Sequence, residues 1–549
     1  MAEEKAEELT GSFAMIRFED HAVVISLRQV EAFGLQEFAL EVMAHEIGHH
    51  VLTPGDVNDH VRMIAHMRPA LPGREGDAAL VANLYTDLII NDRLQRTSRL
   101  RLADVYKKLG GDTESRLWTF YMRIYEILWS LKKGTLAPGK SDERLEFDAG
   151  LGARLVRVYA KDWMAGSGRF AALAFPYLPE HAGGGDAKVF ESLRDTKDAG
   201  RGASPGGLTE IDPDEENGAR HPVNDRDLTG VGGLQDDDEK DTAAEGTGTA
   251  DRGSRTPRDR HYRSPIDYQD ILKSAGVALS KTDAIIRYYR EAALPYLVPF
   301  PQHESQKSTD PIPEGLDVWD AGAPLEEVDW LQTVVASPVV VPGLTTMKRV
   351  FGTTDGTSPE RVPLDLFIGV DCSGSMVNPS EATSFPVIGG AIMALSALRA
   401  GARVMVTLSG EPGKYTSTTD FITSERDILA VLTGYLGTGY TFGIVRLRDA
   451  FKDRQPADRP ALIVILTDYD IFAMLDGNDK GASGWEMAAE ALRKARGGGT
   501  YLLHMMENQR DKNVRRMTAE GWDTYFLTDW KEVMAFAHAF SHKHYAGHG

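Results

Sequence analysis

At 549 residues the chain exceeds what one hydrophobic core supports, so two or three domains are expected. Its composition, 42% hydrophobic and 26% charged, is that of an ordinary globular protein, and a net charge of −20 argues against a nucleic-acid or anionic-membrane surface. No apolar run approaches the roughly 20 residues of a membrane helix, and the acidic start MAEEKAEELTGSF is the reverse of a secretion signal. The one cysteine, Cys372, excludes an internal disulfide, and the expected compartment is the cytoplasm.

Residues 13–29, FAMIRFEDHAVVISLRQ, read as two short strands joined near Glu19 and Asp20. From about Leu35 to Leu52 the pattern turns helical, and it stops at Pro54-Gly55. On that helix MAHEIGHHVL places His45 and His49 one turn apart on one face, the spacing at which two imidazoles grip one Zn²⁺. Glu46 stands beside them, where a carboxylate can act as general base on a zinc-bound water. The bland alternative is an amphipathic helix with a few polar residues on its face. A catalytic zinc takes three protein ligands and leaves the fourth position to water, so one more is required. The next helical stretch, GDAALVANLYTDLIINDRLQR, supplies Asp87. With Asn83 and Asn91 it forms a polar line at i, i+4 and i+8, opposite Leu84, Leu88 and Ile89. Asp87 can ligate while Asn83 and Asn91 support the ligands. Asp92 points about 100° away and is expected to be solvated; Glu75, Asp77, His60 and His66 are weaker rivals. Tyr85 or a histidine is available as an oxyanion stabiliser, and nothing in the sequence selects one. LWTFYMRIYEILWSL and GARLVRVYAKDWM add helices, so residues 1–180 read as a mostly helical α+β domain with a small sheet.

Residues 181–262 are rich in Gly, Asp, Glu, Thr and Pro and poor in large apolar residues, and are expected to be a disordered acidic linker. Residues 263–361 regain order, with a helix through YQDILKSAGVALSKTDAIIRYYREAALPYL followed by Pro-rich coil. From Val362 to the end, the apolar strands PLDLFIGV, RVMVTLS, ALIVILT and TYLLHMM alternate with helical stretches. That alternation predicts an α/β doubly wound parallel sheet over residues 362–549. The His-rich end, HAFSHKHYAGHG, reads as a frayed tail.

FIGVDCSGSM puts Asp371, Ser373 and Ser375 just past the carboxyl end of the first strand of that sheet, where open α/β sheets bind ligands. Three oxygens aimed from one tight loop are hard donors suited to Mg²⁺. ALIVILTDYD presents Asp468 at the same edge, and GTGYTFGIVRL offers Thr441, with Thr438 the fallback. This Asp-x-Ser-x-Ser loop, downstream Thr and strand-end Asp resemble the metal-ion-dependent adhesion site (MIDAS) of von Willebrand factor A domains. The resemblance runs from about Val362 to the C-terminus. It implies a Rossmann-like fold and a Mg²⁺ that binds an acidic side chain of a partner without doing chemistry. Cys372, between two of these ligands, is expected to face the core.

The N-terminal half, with its His-Glu-x-x-His helix after two strands and its small Gly48 between base and second ligand, resembles zinc peptidases of the zincin type. It also resembles the metallopeptidase-like domains that precede von Willebrand A-like domains in some bacterial proteins, whose later helix reads roughly Asn-x-x-x-Asp-x-x-x-Asn. Here the match comprises His45, Glu46, His49, Asn83, Asp87 and Asn91. The resemblance implies association with a MoxR-type AAA+ ATPase or its client. The expected protein is therefore a zinc metallopeptidase-like domain tethered to a Mg²⁺-dependent protein-binding domain. The rival is a non-catalytic adaptor whose N-terminal metal is structural, with His50, His60 or a further carboxylate filling the fourth position.

Overall fold

The computed structural model describes residues 14–110, 115–137, 139–179, 196, 199–200, 205–229, 262–304, 309–355, 361–411, 413–505, 512–533, 535–537 and 539–540. Residues 541–549 of the His-rich tail and the Gly/Asp-rich run 231–260 lie outside the described residues. The chain divides into two compact units: residues 1–295 with 374–391 and 433–437, and residues 296–373 with 392–432 and 438–549.

In the first unit, β1 (Ala14–Arg17) and β2 (Ala22–Ile25) pair antiparallel, as the sequence pattern suggests. The helices follow as α1 (Leu27–Ala32), α2 (Ala39–Val51), α3 (Val57–Met67), α4 (Ala78–Arg96), α5 (Leu102–Leu109), α6 (Arg116–Leu128), α7 (Glu143–Val158), α8 (Trp163–Ala174), α9 (Pro213–Gly218), α10 (Arg226–Thr229), α11 (Pro265–Ser274) and α12 (Lys281–Ala293). Helix α4 is the hub, packing against α2, α3, α5, α6, α7 and α8. Every residue from Val81 to Asp92 is buried, so its polar line cannot be met by water and must be satisfied by other side chains. That enclosure corrects the reading of Asp92, which is only 4% exposed and pairs with Arg96 at 3.3 Å instead of being solvated.

Two further expectations change. The helix read through residues 268–297 is two helices, α11 and α12. Gly276 between them takes a left-handed backbone (φ +76°), and Ser280 caps α12 by accepting the N–H of Asp283. Part of the expected linker, residues 205–229, is folded into the first unit. Both carboxylate oxygens of the buried Glu215 accept from Arg263 at 2.7 Å, and Asp225 accepts from Tyr159 (2.6 Å) and Arg169 (2.5 Å). Leu208, Pro222 and Leu228 are buried as well. Composition averaged over 181–262 counts these acidic residues as solvated, whereas here Glu215 pairs with the buried Arg263 and Asp225 with the partly buried Arg169.

The second unit is built on a six-stranded sheet. Around it lie the antiparallel pairs β3 (Gln302–Glu304) with β6 (Arg361–Pro363), β4 (Thr309–Val318) with β5 (Met347–Asp355), and β11 (Asn478–Asp479) with β12 (Ala482–Ser483). The main sheet comprises β7 (Asp365–Asp371), β8 (Val404–Glu411), β9 (Lys414–Ser417), β10 (Ala461–Asp468), β13 (Arg496–His504) and β14 (Asp523–Leu527) in the order β14-β13-β10-β7-β8-β9. All neighbours are parallel except the β8–β9 edge. β7 and β10 are buried over almost their whole length because helices cover both faces, which is why their sequences are unbroken apolar runs. The chain runs from β7 to β8 on one side and returns to β10 on the other. The switch point therefore falls between the carboxyl ends of β7 and β10. One core cluster, including Phe367, Phe442, Phe451, Ile465, Trp485 and Trp522, holds this sheet against its helices. Among the described residues, no helix is long and apolar enough to cross a membrane.

Candidate metal centres

Helices α2 and α4 approach closely at one glycine. A Cβ built on Gly48 would lie 2.5 Å from Cγ2 of Ile90, so only glycine lets α2 seat at this depth. This contact brings His45 and His49 over Asp87. Nε2 of each histidine lies 3.6 Å from Oδ1 of Asp87, and the two rings sit edge to face at 5.0 Å. Ligand atoms of the three residues all fall within 4.8 Å of one another, the one such His/Cys/Asp/Glu group among the described residues. Bonds of about 2.0–2.1 Å in a tetrahedron set donors about 3.3–3.4 Å apart, so the 3.6 Å spacings are nearly those a zinc ion requires.

The outer nitrogens explain why the inner ones point inward. Nδ1 of His49 lies 3.3 Å from the carbonyl of Thr53, which can only accept, so the ring proton is on Nδ1 and the Nε2 lone pair faces Asp87. Nδ1 of His45 meets Oδ1 of Asn91 at 2.8 Å with the same consequence. Asp87 is oriented in turn by Asn83, whose amide donates to Oδ2 at 3.0 Å and whose carbonyl accepts from the Thr196 backbone (3.2 Å) and hydroxyl (2.6 Å). Two imidazoles and one carboxylate, each anchored from behind, suit Zn²⁺ and related divalent ions.

Glu46 is 1% exposed, on the residue after His45. The remaining candidates are elsewhere. His50 points its Nδ1 at Nδ1 of His21, 3.2 Å away, and stacks edge-on against Phe18. His60 is buried beside the same Phe18, and burial holds the His66 imidazole below its usual pKa. Asp77 is engaged by Arg74 at 2.7 Å, and Glu75 accepts the backbone N–H of Gly73 at 2.9 Å. Tyr85 is fully buried and donates to the carbonyl of Trp163 at 3.0 Å.

Three tyrosines went unnoticed in the sequence. The Asn91 amide donates to the hydroxyls of Tyr106 and Tyr125, each at 2.9 Å. Tyr125 also meets Tyr106 at 3.2 Å and Tyr121 at 3.0 Å. Burial pushes the Tyr121 and Tyr125 phenols well above their usual range, keeping them neutral. A signal existed: Tyr121 and Tyr125 are spaced i, i+4 on α6, but as aromatic residues on an apolar helix they read as core.

In the second unit, Asp371 ends β7 and is buried at the switch point. Its Oδ1 accepts the N–H of Ser373 at 2.8 Å and its Oδ2 the hydroxyl of Thr467 at 2.9 Å. Thr467 in turn lies 3.1 Å from the Thr441 hydroxyl, so a residue the sequence reading passed over joins two that it named. Burial pushes the Asp371 carboxyl up to about 6; the Ser373 N–H opposes this, and the charge of nearby Asp468 adds to it. Asp468 ends β10 and accepts the N–H of Asp470 at 3.0 Å. Thr438, the fallback, directs its hydroxyl to the backbone carbonyls of Gly410 and Tyr440. Cys372 is buried. Ser375 is exposed and falls within the first compact unit.

No family model matches this chain, and no curated protein matches it. Among solved structures, a von Willebrand factor type A protein from Catenulispora acidiphila is similar over 34% of this chain and 44% of its own, at 14% identity and a TM-score of 0.22. The match thus spans less than half of that protein, and a similarity of this size assigns neither fold nor function.

Proposed function

We propose that this is a cytoplasmic zinc metallopeptidase whose second domain recruits a partner through Mg²⁺, the partner being a MoxR-type AAA+ ATPase or its client. One observation carries the reading: His45, His49 and Asp87 converge with both imidazole lone pairs already turned inward. His45, His49 and Asp87 would hold Zn²⁺, leaving a fourth position for water. When bound, the ion would acidify that water and polarise a scissile carbonyl. Glu46, on the residue after His45, is the group that takes and returns the proton. Asn83, Asn91 and the Thr53 carbonyl keep the three ligands oriented.

At the sheet edge, Asp371, Ser373, Thr441 and Asp468 would hold Mg²⁺ and leave a position for a partner carboxylate. Support comes from the hard-oxygen donor set and from the location of Asp371 and Asp468 at the topological switch point.

A second reading is favoured by burial: His49 is 0% and Asp87 1% exposed, which suits a structural metal in a non-catalytic adaptor. Hydrolysis of a protein substrate by zinc-loaded wild type and by Glu46→Gln separates the two. The peptidase reading requires activity that Glu46→Gln loses while keeping its zinc. Zinc-loaded wild type with no hydrolysis on a broad peptide library would leave the adaptor.

A further inference from the structure

The buried tyrosines behind His45 have no place in the chemistry above, yet their arrangement is specific. An asparagine amide has one accepting and one donating end, and nothing intrinsic decides which end faces a given neighbour. If the oxygen of Asn91 faces His45, the imidazole carries its proton on Nδ1 and offers Nε2 to a metal. If the NH₂ faces His45, Nδ1 must accept, the proton moves to Nε2, and the ring cannot ligate.

The two orientations differ in how many hydrogen bonds they satisfy. With the oxygen toward His45 (2.8 Å), both amide protons find acceptors, the hydroxyls of Tyr106 and Tyr125 at 2.9 Å each. The three hydroxyls also meet one another, Tyr121–Tyr125 at 3.0 Å and Tyr125–Tyr106 at 3.2 Å. Reversed, the amide oxygen would take the place beside the hydroxyls of Tyr106 and Tyr125, and the NH₂ would turn to the His45 side, where one proton goes to Nδ1 and the other is carried away from both tyrosine hydroxyls. Tyr121 and Tyr125 are 0% exposed, so water is not at hand to repair that loss.

We infer that Tyr106 and Tyr125, steadied by Tyr121, form a lock that fixes the Asn91 amide and so sets the tautomer of His45 that can bind metal. They are positioning residues. The inference rests on the zinc reading of the trio for its purpose but not for its geometry, and the experiment uses that separation.

Three readouts are taken on the full chain for wild type, Tyr106→Phe, Tyr125→Phe, the double variant and Tyr121→Phe: thermal unfolding of the metal-free protein, Zn²⁺ affinity by competition with a chromophoric chelator, and the ¹⁵N shifts of the His45 ring without metal. The expected results are an Nδ1-protonated His45 in wild type, a tautomer mixture in the double variant, and zinc affinity lowered about 10–100-fold in the double variant. Tyr121→Phe, which does not touch Asn91, should change affinity less than threefold. Adding Asn91→Asp to the double variant should restore affinity to within threefold of wild type, because a carboxylate accepts from His45 in either orientation. A double variant with wild-type affinity and an unchanged His45 tautomer overturns the lock, whatever its stability. Should that variant not fold, each single variant removes one of the two amide acceptors and is read by the same criteria. A wild type that binds no zinc would refute the metal reading alone, since the ring shifts still report the lock.

Discussion

The two candidate sites are assembled on opposite plans. Around His45, His49 and Asp87, support comes from behind: a carbonyl, an asparagine oxygen and an asparagine NH₂ hold the outer atoms, and the inner atoms face one another. Around Asp371 the donors are bonded inward. Its two oxygens accept from the Ser373 N–H and the Thr467 hydroxyl, and Thr467 reaches Thr441. The donors of the first site converge ahead of any ion. In the second, protein donors occupy the carboxylate, and an ion must compete with them and with a carboxyl that burial has already shifted toward its neutral form. The difference predicts high affinity with little structural response at the first site, and weaker affinity with a stability response at the second.

The largest effects should come from the first site. His49→Ala or Asp87→Ala should lower zinc affinity more than 100-fold, since each removes one of three bonds, beyond the roughly 10–100-fold typical of supporting residues. Competition with a chelator reads this, and near-wild-type affinity in Asp87→Ala would dismantle the trio. Next is Asp371. A carboxyl whose folded pKa lies above its unfolded value stabilises the fold while protonated, fully so below about 4, and that contribution is lost as pH rises through about 6. The rise from 3.8 to about 6 corresponds to about 3 kcal/mol at most. In chelator, Asp371→Asn should therefore melt higher than wild type at pH 7.5, by the equivalent of about 1–3 kcal/mol. It should also lose the stabilisation by millimolar Mg²⁺ expected of wild type. A lower midpoint would mean that the ionised carboxylate is already satisfied by its hydroxyls.

Gly48→Ala tests the helix contact on which the first site depends. Alanine gains about 1 kcal/mol of helix propensity, but overpacking against Ile90 costs about 1–3 kcal/mol. Because the clash is with a β-branched side chain on the buried α4, overpacking should win. The variant should be destabilised by about 1 kcal/mol, measured by denaturant unfolding, with zinc affinity reduced. Equal or greater stability would show that α2 has room to move. The smallest effect separates the two threonines. Thr441→Ala should diminish the thermal shift caused by Mg²⁺, whereas Thr438→Ala should lower stability by about 1 kcal/mol through its lost backbone bonds and leave that shift intact. The reverse pattern would move the ligand to Thr438.

Much of the layout was legible because it follows from periodicity. The apolar runs of β7 and β10 and the helices between strands need no tertiary information. The i, i+4 spacings of His45/His49 and Asn83/Asp87/Asn91 place side chains on one face of any helix. What escaped depends on contacts between distant segments. Asp92 read as solvated because its helix was assumed to have a wet side, and α4 has none along that stretch. Glu215 and Asp225 looked like linker charges because Arg263, Tyr159 and Arg169, which they pair with, are remote in sequence. Thr467 and the tyrosines resemble core residues in any window, and only their hydrogen bonds distinguish them.

The most direct test of the central claim is the zinc content of purified full-length chain, by elemental mass spectrometry, for wild type, Glu46→Gln and Asp87→Ala after zinc supplementation and desalting. One zinc per chain is expected in wild type and in Glu46→Gln, and near none in Asp87→Ala. Wild type without zinc, or Asp87→Ala with a full complement, would contradict the assignment of His45, His49 and Asp87 as a metal centre.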